Sequence, residues 1–171
     1  MACAGSFISI DVQGEAETVI AEGTLLEELV EDVGFGEFLN MDITTASELD
    51  NQGVQAGDIQ DAALTMFFLE STDPPGSSLS FLDSMELFVE SPGLPRVLVA
   101  SARSFPAGEA RVAFVLEDVD LTDYVVSQSL TLTTSVTGRR PDVETTVRAV
   151  YRFSVGVTTQ GACNFIRGES G

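Results

Sequence analysis

The chain contains no histidine, no lysine and no tryptophan, and all 8 of its basic residues are arginines. Each absence excludes a chemistry. Histidine is the commonest general base and metal ligand, and lysine supplies Schiff bases. Most nucleophile–base pairs therefore cannot be built, including a thiol dyad on Cys3 or Cys163. Without tryptophan there is no indole platform of the kind on which saccharide sites lean. A run of 18 or more apolar residues is missing too, which excludes a transmembrane helix. Neither a P-loop, G-x-G-x-x-G nor G-x-S-x-G occurs, and Gly34-Phe35-Gly36 is too short to stand in. Cysteine is scarce: the two present, with acids as the only other ligands, match a zinc site poorly.

What the chain has in excess is acid. There are 27 acidic residues against 8 basic ones, a formal charge of −19 over 171 residues. Such a surface repels phosphate backbones, so nucleic acid is not an expected partner. It also avoids anionic membranes and favours basic protein partners or self-association through its few arginines. Hydrophobic residues make up 44%, with 11 phenylalanines. That composition belongs to a folded chain, and the length fits one domain with a sizeable core.

Periodicity sets the fold class. Thr24-Leu25-Leu26-Glu27 reads as a capping box, and Leu25, Leu26, Leu29, Val30 and Val33 share one helical face. One short amphipathic helix is expected near residues 24–33, ended by Gly34. Elsewhere the period is two. Strands are expected at Phe7 to Val12, extended or paired by Glu17 to Ala21, and at Leu64 to Glu70 with both faces buried. Others are expected at Ser84 to Glu90, Arg96 to Ser101, Arg111 to Glu117, Ser129 to Thr137 and from about Val147 to Thr158. Turn signals at Pro74-Pro75-Gly76, Ser91 to Pro95, Pro106-Ala107-Gly108 and Gly138 to Asp142 separate them. The expectation is a mainly β protein: an antiparallel β-sandwich of immunoglobulin-like or jelly-roll topology. It forms one domain over residues 1–171, with residues 1–60 an elaborated N-terminal layer. Phe35, Phe38, Leu39 and Met41, together with Phe67, Phe68 and Phe88, include residues that alternation assigns outward; the N-terminal layer is expected to cover them, the alternative being a self-association or partner patch.

Three groups of residues carry candidate chemistry. Glu117, Asp118, Asp120 and Asp123 offer oxygens to Ca²⁺, the only cofactor the sequence suggests, although the EF-hand glycine and closing glutamate are missing. The competing reading is a solvated turn in which Asp120 caps a helical turn and Leu121 and Tyr124 point inward. Arg139 and Arg140 form the only basic cluster, suited to a partner's carboxylate or to local pairing with Asp142 and Glu144. Cys3 and Cys163 lie near opposite ends. They are a disulfide if the first and last strands are neighbours, or else Cys3 is a lipid attachment site, or both are free thiols. The start Met1-Ala2-Cys3-Ala4-Gly5-Ser6 reads as lacking a signal peptide and as resembling a processed lipoprotein carrying an added methionine.

Together these readings point to a non-enzymatic, extracytoplasmic β-sandwich of bacterial type, secreted, periplasmic or anchored to the outer membrane through Cys3. It would act as a binding or structural module. The alternatives are a self-assembling subunit of a filament, capsid or shell, and a carboxylate-based hydrolase supported by Ca²⁺. The acids Glu70, Asp83, Glu86 and Glu90 would serve the last, but nothing in the sequence marks two of them as facing one another.

Overall fold

The computed structural model describes residues 8–23, 54–127 and 130–158. The expected helix at 24–33, the aromatic stretch from Phe35 to Met41 and both cysteines lie outside them. The elements are β1 (Ile8–Ile20), β2 (Ile59–Asp73), β3 (Leu82–Ser91), β4 (Leu94–Ala102), β5 (Arg111–Ala113) and β6 (Val115–Leu116), then helix α1 (Thr122–Val126), β7 (Thr131–Gly138) and β8 (Thr145–Val157). The chain is mainly β, in two antiparallel four-stranded sheets that pack together as a sandwich. The first sheet has the order β1-β8-β2-β5 and the second β6-β4-β3-β7.

Alternation builds both inner faces. In β3, Met85, Leu87 and Val89 are buried while Glu86 and Glu90 face out. In β7, Leu132, Thr134 and Val136 face in. β8 contributes Val147, Ala149, Phe153, Val155 and Val157. These meet Leu64, Phe67 and Leu69 of β2, and a phenylalanine cluster closes one flank. The Phe67 and Phe114 rings sit edge to face at 4.8 Å, with Phe105 6.2 Å from Phe114. First and last strands are neighbours: β1 pairs with β8 along its whole length, from Ile8 opposite Val157 to Ile20 opposite Thr145.

The first strand is extended through Glu17 to Ile20, one of the two arrangements expected, because Glu17 to Ile20 keep the same alternation. Three expectations need correcting. β2 is buried on one face only. Phe68 and Met66 look outward, and Phe68 stays partly buried because the Arg111 guanidinium lies 4.3 Å above its ring. The segment Arg111 to Glu117 is two strands in different sheets, β5 against β2 and β6 against β4, with buried Phe114 at the crossing. Its alternation is unbroken, so nothing local records the change of sheet. The break expected over Ser91 to Pro95 is only Pro92-Gly93, with Gly93 at φ +82°, a conformation that glycine adopts without cost. Leu94 and Pro95 already belong to β4.

Candidate functional site

One end of the sandwich gathers three loops. Strand β7 ends at Gly138, and the chain turns through Arg139 to Glu144 before β8. That turn is pinned to its neighbours by backbone hydrogen bonds. Arg139 N donates to Phe81 O at 2.8 Å, and Gly23 N donates to Pro141 O at 3.0 Å. The loop between β2 and β3 is held on the other side, where Leu79 N donates to Glu109 O at 3.1 Å. Between them lies a cavity of about 200 Å³, walled by Ser77, Ser78, Ser80, Arg139, Asp142 and Val143 among others.

The cavity is rich in donors. Ser78 Oγ accepts from the backbone N–H groups of Ser80 at 3.2 Å and Gly108 at 3.1 Å. Those bonds fix the oxygen and leave its hydroxyl proton to donate. Arg139 Nη1 donates to Asp142 Oδ2 at 3.3 Å, across side chains 57% and 86% exposed. An ion pair that long and that exposed is worth at most about 1 kcal/mol. It orients the guanidinium without saturating its five N–H donors. The local pairing expected for Arg139 is therefore present, and it leaves the residue able to bind something else. Arg140 is exposed and makes no ion pair among the described residues. It does not line the cavity.

Size narrows what can enter. Pockets for whole small ligands usually measure about 300–1,000 Å³. A cavity of about 200 Å³ accommodates a side chain, a chain terminus or a small acid, and not a nucleotide or a haem.

The acidic loop is organised differently. Asp120 Oδ1 accepts from the Thr122 N–H at 2.9 Å and from the Thr122 hydroxyl. The hydroxyl contact first, and the backbone one second, hold its carboxyl below the usual aspartate range. Asp120 thus holds Thr122, the first residue of α1, while the N-cap position itself is Leu121, and Leu121 and Tyr124 are buried beneath. Glu117, Asp118 and Asp123 point to solvent. Among the described residues no group of three or more Cys, Asp or Glu converges as metal ligands do, so the four Ca²⁺ candidates are not brought together.

The strongest polar cluster was not legible in the sequence. Glu70, with its side chain 13% exposed, sits on the outer face of the first sheet between two arginines. Arg111 Nη2 donates to its Oε2 at 2.6 Å, and Arg148 Nε donates to its Oε1 at 2.8 Å. The Arg111 contact is the main cause that holds the Glu70 carboxyl below the ordinary glutamate range. Partial burial opposes it and Arg148 adds to it. Alternation places Glu70 and Arg148 outward on their strands, but only the β2–β8 register makes them partners. Glu70 is thereby committed to structure.

No protein-family model matches the chain, and a search of curated proteins finds no match. No helix among the described residues is long and apolar enough to cross a membrane.

Proposed function

We propose that the protein is a non-enzymatic, extracytoplasmic binding module that takes a single carboxylate of a partner protein into the cavity at Arg139. The observation that carries this reading is the donor set there. A guanidinium held by only one long contact lies beside a positioned serine hydroxyl, in a space the size of one side chain. Of the arginines, Arg111 and Arg148 are spent on Glu70, Arg152 on Gln13, and Arg96 on Thr133 and the ring of Phe88. Arg139, by contrast, combines a weak partner with a place on the cavity wall.

The net charge shapes the partner. At −19, the molecule repels an acidic protein as a whole. The partner is therefore neutral or basic over most of its surface and presents one carboxylate, either a C-terminus or an Asp or Glu side chain. The extracytoplasmic assignment draws on the cysteines. Ile8 of β1 lies opposite Val157 of β8, so the strand residues nearest in sequence to Cys3 and Cys163 are neighbours, which favours a bridge made in an oxidising compartment. A bridge and a lipid on Cys3 exclude each other, so this reading sets the anchor aside.

Calorimetric titration with N-acetylglycine, a mimic of a chain terminus, tests the proposal. N-acetylglycinamide, which lacks the charge, is the control. The expected result is a Kd of order 1–10 mM for the acid, consistent with one charge-assisted contact. The amide should not bind, and the Arg139→Gln variant should lose at least most of the acid binding. Equal affinity for acid and amide, or full binding by the variant, overturns it.

A further inference from the structure

Two loops line the Arg139 cavity, and they carry different chemistry. The loop between β2 and β3 supplies hydroxyls, on Ser77, Ser78 and Ser80. The turn between β7 and β8 supplies the Arg139 guanidinium and two apolar residues, Pro141 and Val143. Pro141 is buried, and its carbonyl accepts from the Gly23 N–H at 3.0 Å. The Val143 carbonyl accepts from the Thr145 hydroxyl at 3.1 Å. The turn is therefore held before anything enters, which spares a ligand the cost of ordering it.

Val143 is the informative residue. From Arg139 to Glu144 the turn is charged except at Pro141 and Val143. Local conformation does not call for a valine, since turns are built from Gly, Pro, Asn, Asp and Ser, and β-branched residues suit strands. Nor does the core call for it. The first buried residue of β8 is Thr145, two positions on, and Val143 itself is 52% exposed. A valine thus stands half out of the protein on the wall that also carries the guanidinium.

Two kinds of protein carboxylate differ in what they bring to such a wall. An Asp or Glu side chain presents its carboxylate on unbranched methylenes, with peptide groups running away on both sides. A chain terminus presents three groups from one carbon: the carboxylate, the last side chain and the last N–H. The cavity has a counterpart for each. Arg139 and the Ser78 hydroxyl donate to the carboxylate, Pro141 and Val143 offer contact to the side chain, and the Ser77 and Ser80 hydroxyls can accept the N–H. An acidic side chain would leave the valine uncovered and set peptide groups beside it. Building on the carboxylate reading above, we propose that the ligand is a protein C-terminus whose last residue is aliphatic, and that Val143 selects that residue. Arg139 supplies affinity for any carboxylate, and Val143 discriminates among them. A valine side chain has three more carbons than glycine, and their partial burial is worth about tenfold in affinity.

Calorimetric titration of the full chain with blocked amino acids tests this. N-acetylvaline should bind about tenfold tighter than N-acetylglycine. N-acetylaspartate α-methylamide, whose one carboxylate is that of the side chain, should bind no tighter than N-acetylglycine. Val143→Ser changes an exposed turn residue that the fold tolerates, and it should erase the preference for N-acetylvaline. If N-acetylglycine binds and N-acetylvaline binds no tighter, the inference falls and the carboxylate reading stands. The same follows if the preference survives Val143→Ser, or if the aspartate derivative binds as tightly as N-acetylvaline. If none of the acids binds, both readings fall together.

Discussion

Ser71 buries a hydroxyl that has no hydrogen-bond partner among the described residues, in a side chain only 9% exposed. A buried polar group left unmet costs about 1–3 kcal/mol, and its removal without a change of shape returns part of that. Ser71→Ala is expected to raise the melting temperature by the equivalent of about 1 kcal/mol. A fall would mean that the hydroxyl is in use. At Gly14 the constraint is space. A Cβ there would lie 1.9 Å from Tyr151 Oη and 2.2 Å from its Cζ, because the ring crosses the strand over the glycine. Gly14→Ala should cost about 1–3 kcal/mol through overpacking. Combined with Tyr151→Val the penalty should shrink, giving a coupling above about 0.5 kcal/mol in a thermal-denaturation cycle. Strict additivity would contradict the contact. Neither site was legible from sequence, since a serine and a glycine on a strand look ordinary until the neighbouring strand is known.

Among the elements, the outer face of the first sheet is joined by Glu70, which links β2 to β5 through Arg111 and to β8 through Arg148. Its carboxyl titrates below the ordinary glutamate range in the folded chain. The stabilisation is therefore complete above the ordinary value and is lost as pH falls through the lowered one. Arg148 is held still more firmly charged, so the arginine side does not titrate in the working range. Glu70→Gln should lower stability by about 1 kcal/mol near pH 6, and the gap to the parent should narrow as pH drops to about 3. A gap independent of pH would show that the carboxylate's charge does not matter. The β1–β8 register also bears on the cysteines, which themselves lie outside the described residues. Cys3 precedes Ile8 by five residues and Cys163 follows Val157 by six. We expect a disulfide, shown by an unreduced mass lighter by two hydrogens and by no reaction with a thiol reagent. Two reactive thiols would contradict it. Element by element, the faces of β3, β7 and β8 could be read because each alternates over a buried side. β5 and β6 could not, because the chain changes sheets at Phe114 without breaking its period. The outward Phe68 of β2 misled because its cover is an arginine from another strand.

For the whole molecule, a well-filled core works against a large self-repulsion. Phe153 is 1% exposed at the centre of β8, and Phe153→Ala should cost about 3–5 kcal/mol. The charge of −19 opposes compaction, and its effect fades as salt shortens the Debye length from about 10 Å at 0.1 M to about 3 Å at 1 M. The melting temperature should therefore rise with added sodium chloride. Arg139 was legible as the place to look because it belongs to the only basic cluster in an acidic chain. The cavity beside it was not, since its walls come from loops more than 50 residues apart. The most direct check on its role is an amide chemical-shift map of the protein titrated with N-acetylglycine. Shifts should concentrate in residues 77–81 and 139–145 and vanish in Arg139→Gln. Shifts centred on the outer face at Glu70, or scattered over the surface without saturating, would contradict recognition at this end of the sandwich.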